Sequence, residues 1–132
     1  MSKFNFALHH VSLLVSDTRK ALDFYHRILE LPLADRPDMG FDGAWLQVGA
    51  QQIHLLELEN PDPTTGRPAH GGRDRHFAMT ADSIDAIREH LDEAGISYSL
   101  SKSGRKALFC RDPDGNAVEI IQRGHEPQAA GS

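Results

Sequence analysis

The chain has a single cysteine, one tryptophan, two tyrosines and no long apolar run among its 132 residues. Cys110 alone cannot close an internal disulfide, so the core must hold the fold, and a reducing compartment suits it. No stretch approaches the roughly 20 apolar residues of a membrane span. The first residues carry no secretory pattern, so a cytoplasmic protein without a membrane anchor is expected. Basic residues are scarce, with 14 Lys and Arg against 19 Asp and Glu and a net charge of -5. Nucleic-acid binding wants a basic face and is set aside. The remaining composition, 39% hydrophobic and 25% charged, is that of a globular chain long enough for one domain with a real core. Histidine is plentiful instead, with eight, at positions 9, 10, 26, 54, 70, 76, 90 and 125.

The clearest local signal is Asp112-Pro113-Asp114-Gly115, a turn in which proline presets φ and glycine accepts a positive φ. The run 117–122 that follows reads as a strand. Alternation puts Val118 and Ile120 on one face and Glu119 and Ile121 on the other. A carboxylate within an apolar strand must be solvated, paired or bound to a metal. Upstream, residues 7–15 read as a strand and Asp17 as a helix N-cap. Residues 18–29 carry an apolar stripe of Leu22, Tyr25 and Leu29, widened by Ala21 and Ile28. Leu31-Pro32 ends that helix, a weak extended segment spans 33–36, and strands follow at 44–48 and 52–58. The second of these puts His54, Leu56 and Leu58 on one face. Residues 59–74, broken by Pro61, Pro63, Gly66, Pro68, Gly71 and Gly72, form a connector without regular structure. The pattern then restarts with a strand at 75–81 and a helix capped by Asp82 or Ser83. Ile84, Ile87, Leu91 and Ala94 make the stripe of that helix, and Gly95 ends it. Extended segments at 97–101 and 106–110 lead to the turn. Within the second, Cys110 is better suited to filling a core than to nucleophilic work. Residues 125–132 read as a frayed tail.

The chain is therefore an α+β fold of two tandem βαβββ modules, 7–58 and 75–122, joined by the connector. His10 and His54 lie 44 positions apart, and His76 and Glu119 lie 43 apart. Each module thus offers a ligand-capable residue in its first strand and another in its last. Helices on one face of each sheet would leave a concave face where four such groups could converge. His9 should point away from His10. Three imidazoles and a carboxylate suit Zn²⁺, Ni²⁺, Fe²⁺ or Mn²⁺, and His10, His76 and Glu119 alone would form a two-histidine, one-carboxylate set.

Five ordered stretches carry a resemblance. They are Leu8-His9-His10-Val11 with Asp17, Ala21-Leu22-Asp23-Phe24-Tyr25, Gln52-Ile53-His54-Leu55, Arg75-His76-Phe77-Ala78, and Asp112-Pro113-Asp114-Gly115-Asn116 with Glu119. In these the chain resembles the vicinal oxygen chelate superfamily, which includes glyoxalase I, extradiol dioxygenases, fosfomycin-resistance transferases and bleomycin-binding proteins. The resemblance implies a concave mixed sheet, a homodimer, a small-molecule substrate and one divalent metal on His10, His54, His76 and Glu119. It further implies a glyoxalase-I-like lyase or isomerase working through a metal-stabilised enediolate, with Glu119 and His54 as catalytic groups. Glyoxalase I typically has glutamate where His54 stands. With one carboxylate rather than two, a dication keeps about one positive charge and favours an anionic ligand with two adjacent oxygens. Arg73, Arg75 and Arg105 are the candidates to help hold it. The alternatives are an Fe²⁺ extradiol-type dioxygenase with His54 as acid or base, a thiol or water transferase on a phosphonate antibiotic, and a non-catalytic drug-binding protein.

Overall fold

The computed structural model describes residues 3–124, so the tail at 125–132 lies outside the described residues. The chain forms two compact units, Met1–Asn60 and Pro61–Ser132, and the connector goes almost wholly with the second. In the first unit β1 (His10–Leu14) leads through helix α1 (Thr18–Leu22) to β2 (Leu33–Ala34), β3 (Gly43–Val48) and β4 (Gln51–Leu56). The strand order is β1-β4-β3-β2, with β1 parallel to β4 and the other pairs antiparallel. The second unit repeats this with β5 (His76–Ala81), α2 (Ile84–Glu93), β6 (Tyr98–Leu100), β7 (Ala107–Arg111) and β8 (Ala117–Gln122) in the order β5-β8-β7-β6. The expected α+β architecture of paired βαβββ modules is present.

Each helix starts where a side-chain oxygen can take up its free amides. The Asp17 carboxylate accepts from the N–H groups of Arg19 and Lys20, and the Ser83 hydroxyl accepts from that of Ala86. Of the two caps considered for α2, the chain uses Ser83. In the first unit Ala21, Phe24, Tyr25 and Ile28 are buried, and on the sheet so are Ala44, Leu46, Ile53 and Leu55. The register pairs Leu46 with Ile53 and Ala44 with Leu55, so these four share a sheet face, with His54 on the other.

The helix does not run as a regular α-helix from 18 to 29. From Asp23 to Ile28 it widens into a π-helical turn, closed by the Leu29 N–H donating to the Phe24 carbonyl. The buried residues Ala21, Phe24, Tyr25 and Ile28 stand at i, i+3, i+4 and i+7, and Leu22 and Leu29 are only half-buried. The turn also accounts for the unequal spacing of the two modules. Each N-cap stands seven residues after its first-strand histidine, Asp17 after His10 and Ser83 after His76. Each helix ends at a residue of positive φ, Glu30 (60°) or Gly95 (70°). Cap to exit takes 13 residues in the first unit and 12 in the second, so the extra residue lies within the helix.

The connector is more ordered than its prolines and glycines suggested. Gly71–Arg73 makes a 3₁₀ turn. A Cβ on Gly71 would stand 3.2 Å from Cβ of Phe109 and 3.4 Å from that of Ala117, so glycine lets the turn lie against β7 and β8. Beyond, Asp112 closes the predicted turn. Its Oδ1 accepts from the N–H groups of Asp114 and Asn116, each at 2.9 Å, and its Oδ2 accepts from the Asn116 side-chain amide at 2.8 Å. Gly115 has φ 84°, as that turn requires. Because Asp112 is buried, Asp112→Ala strands these donors and should cost about 2 kcal/mol in urea unfolding. A loss within error of zero would contradict this account of the turn.

Candidate functional site

The four residues singled out by the repeat occupy equivalent register positions. His54 on β4 stands opposite Ser12, two residues beyond His10. Glu119 on β8 stands opposite Ala78, two residues beyond His76. Residues two apart on a strand share a face, so in each sheet the first-strand histidine is the diagonal neighbour of the last-strand residue. The side chains bear this out. The His10 and His54 rings stack with centroids 4.0 Å apart, and His76 Nε2 lies 3.3 Å from Glu119 Oε1. Within either unit, no three His, Cys, Asp or Glu side chains gather into a metal-holding group among the described residues.

In the first unit His54 is buried and lies between two rings, His10 on one side and Trp45 on the other, the latter also at 4.0 Å and within 6° of parallel. A chain of amides fixes its proton. The Gln47 amide N–H donates to the Gly49 carbonyl (2.8 Å), the Gln52 amide N–H donates to Gln47 Oε1 (3.0 Å), and Gln52 Oε1 meets His54 Nε2 at 2.8 Å. The Gly49 carbonyl can only accept, so the direction carries through the chain and His54 Nε2 must donate. A neutral His54 thus keeps its lone pair on Nδ1. Burial, then the nearby His10, His9 and Arg36, hold its pKa below the ordinary 6.5. His10 has its Nδ1 engaged by His9 Nδ1 at 2.9 Å. The expectation that His9 points away from His10 fails because β1 begins at His10, so strand alternation does not bind His9.

In the second unit His76 Nδ1 donates to the Asp74 carbonyl at 2.9 Å, and its ring meets that of Phe109 edge-on at 5.2 Å. The Glu119 side chain is 5% exposed and is matched by Arg105, whose Nη2 donates to Glu119 Oε2 at 3.1 Å. The Nε–H of Arg105 is buried and has no acceptor among the described residues. Of the three candidate arginines, only Arg105 is brought to a candidate ligand. Arg75 pairs with Asp62 on the surface, and Arg73 is exposed. A cavity of about 350 Å³ lies between Ala69 and Gly71 of the connector, the edge strand β6, and Phe109. Beside it, His70 Nδ1 and Ser99 Oγ share a hydrogen bond at 2.7 Å. Cys110 lines the same cavity, but burial and the Asp112 charge push its thiol up to about 12, leaving no thiolate for nucleophilic work.

The sequence reading did not name the partners of the four residues. Gln52 could have been found, since alternation places it on the face of His54. Trp45, Phe109, Arg105 against Glu119, and Asp74 depend on cross-strand register and carry no local signal.

Residues 7–120 match the profile of the Glyoxalase/Bleomycin resistance protein/Dioxygenase superfamily, and the chain belongs to that family. It is 32% identical over 120 residues to glyoxylase I 4 of Arabidopsis thaliana, a span covering 86% of this chain and 69% of that protein. It is 28% identical over 117 residues to the glutathione transferase FosA of Serratia marcescens, covering 86% and 79%. Its fold superposes with a TM-score of 0.70 on a variant of the fosfomycin resistance protein FosX from Listeria monocytogenes, complexed with Mn(II) and a dihydroxypropylphosphonic acid. The sequence identity there is 17%, over 88% of this chain and 91% of that one.

Trp45 is the chain's one indole and lies flat on His54. An imidazolium quenches indole emission. Because His54 is harder to protonate than a free histidine, Trp45 fluorescence should fall on acidification with a midpoint below pH 6.5. His54→Gln should abolish the transition, and a midpoint above that value would contradict the burial argument.

Proposed function

We propose that this protein is a metal-dependent enzyme of its family, a glyoxalase-I-like lyase or isomerase acting on a small anionic molecule held through two adjacent oxygens. The observation that carries this reading is the matched pair of half-sites. His10 and His76 both have Nδ1 engaged, and the buried Glu119 carboxylate lies 3.3 Å from Nε2 of the second. Two imidazoles and one carboxylate suit Zn²⁺, Ni²⁺, Fe²⁺ or Mn²⁺, and the likeness to FosX makes Mn²⁺ the first ion to try. His10, His76 and Glu119 would hold the ion, which when bound supplies a Lewis acid for charge developing on the substrate oxygens.

The four-ligand set implied by the resemblance included His54. Its Nε2 is committed to Gln52, so we assign it the role of general base, with Nδ1 taking and returning a proton between adjacent substrate carbons. Glu119 is less suited to that role while paired with Arg105. Arg105, with its unanswered Nε–H, would bind an oxyanion of the substrate. The exposed Arg73 and Arg75 are secondary candidates for the same task. The cavity beside Phe109 falls in the size range of small-molecule pockets and would take the remainder of the substrate. Edge strands β1 and β5 and the exposed Phe4, Phe6 and Leu8 favour a homodimer.

A second reading, transfer of a thiol or water to a phosphonate, is favoured by the same Arg105 and by the likeness to FosA and FosX. A turnover screen of Mn²⁺-loaded protein with hemithioacetals, fosfomycin and catechols separates these readings from each other and from a dioxygenase. On the lyase substrate His54→Gln should lower turnover about a thousandfold with metal content unchanged. Glu119→Gln, His10→Ala and His76→Ala should lose the metal as well. Metal loss in His54→Gln would make His54 a ligand, and full activity in that variant would end its role as base.

A further inference from the structure

We infer that Asp74 is a positioning residue, clamped by Arg67 and Arg111 so that its main-chain carbonyl fixes His76 as the Nδ1–H tautomer and presents Nε2 as the donor atom. The inference concerns how the proposed metal half-site is set up, and it rests on that reading for its purpose. An amide oxygen accepts and never donates, so the 2.9 Å contact from His76 Nδ1 requires the proton to be on Nδ1. A free histidine has no such constraint and exchanges between tautomers.

The carbonyl can impose this only if residue 74 is itself immobile, and it is held from four directions. The Asp74 N–H donates to the Gly71 carbonyl at 3.1 Å. Its carboxylate takes two bonds from Arg67, through Nε at 3.1 Å and through Nη2, and a third from Arg111 Nη1 at 2.8 Å. It also accepts from the Arg75 N–H at 2.8 Å. The Asp74 side chain is 7% exposed, so these bonds are made largely away from water. An aspartate with two guanidiniums and an amide at this depth has little freedom to turn.

Arg111 adds a second restraint. Its guanidinium donates to the Gly115 carbonyl at 2.7 Å and to that of Pro68. Gly115 belongs to the turn that feeds β8, and β8 carries Glu119. Pro68 and Asp74 belong to the connector that feeds β5, and β5 begins with His76. One side chain therefore ties together the two segments that deliver the pair, and His76 Nε2 and Glu119 Oε1 meet at 3.3 Å. Arg67 and Arg111 are thus assigned to this clamp and not to substrate.

The test is long-range ¹H–¹⁵N correlation of the histidine rings in metal-free, uniformly labelled protein at about pH 8, where an ordinary imidazole is neutral. Mn²⁺ affinity is read separately by calorimetry. In the wild type, His76 should show a protonated Nδ1, whatever proton Nε2 shares with the Glu119 carboxylate at 3.3 Å; a bare Nδ1 overturns the inference without any variant. Asp74→Asn, which keeps the shape but weakens the clamp, should give a tautomeric mixture at His76 and Mn²⁺ binding about tenfold to a hundredfold weaker. Arg67→Gln, which leaves Arg111 in place, should act in the same direction by less and serves if Asp74→Asn does not fold. A folded variant with weaker Mn²⁺ binding but an unchanged His76 tautomer would reduce the clamp to scaffolding and overturn the inference. A wild type with the expected tautomer and no Mn²⁺ binding would instead overturn the metal reading and leave the assignment of Asp74 intact.

Discussion

A carboxylate in the middle of a buried strand has few ways to exist, and much of the second unit can be understood as the means of giving Glu119 partners there. Its neighbours on β8, Ala117, Val118, Ile120 and Ile121, are all buried, so water cannot serve it. The charge is met by Arg105 on one oxygen and approached by His76 on the other. Both partners arrive from the same sheet, Arg105 from the turn before β7 and His76 from the start of β5. Removing one member of such a set leaves an uncompensated buried charge, which costs more than the pair contributes.

The first unit solves the equivalent problem with a neutral group. His54 occupies the register position of Glu119, and its direct partners are rings and an amide. Burial between Trp45 and His10 disfavours charge on the imidazole, and the Gln52–Gln47 relay saturates its N–H without adding any. The two halves of the fold are thus alike in backbone and opposed in electrostatics.

Much of this was readable in the sequence. Hydrophobic alternation placed every strand to within a few residues, the Asp17 cap and the turn at Asp112 marked their elements, and the spacing of His10, His54, His76 and Glu119 exposed the repeat. These signals are local, set by the strand period and by side chains that bond to nearby backbone. What the sequence did not disclose is set at a distance. Arg105 reaches Glu119 across 14 residues, Arg111 reaches Pro68 across 43, and His70 reaches Ser99 across 29. Arg73 and Arg75 looked as promising as Arg105 because a charge beside a glycine pair carries no record of its partner. Phe24 was overlooked as core because the stripe was drawn through Leu22 and Leu29, one position round the helix from Ala21 and Ile28.

The π-helical turn explains how two halves of unequal length keep the same strand register. One extra residue between the Asp17 cap and the Glu30 exit could have been passed along the chain, in which case every side chain of β4 would have swapped faces and His54 would lie among the helix-facing residues. Instead the helix absorbs it as a local widening. From Glu30 to His54 and from Gly95 to Glu119 the count is again the same, 24 residues. The helix acts as a shock absorber for insertions, so the two modules could drift apart in length while the strands that carry the chemistry stayed in phase.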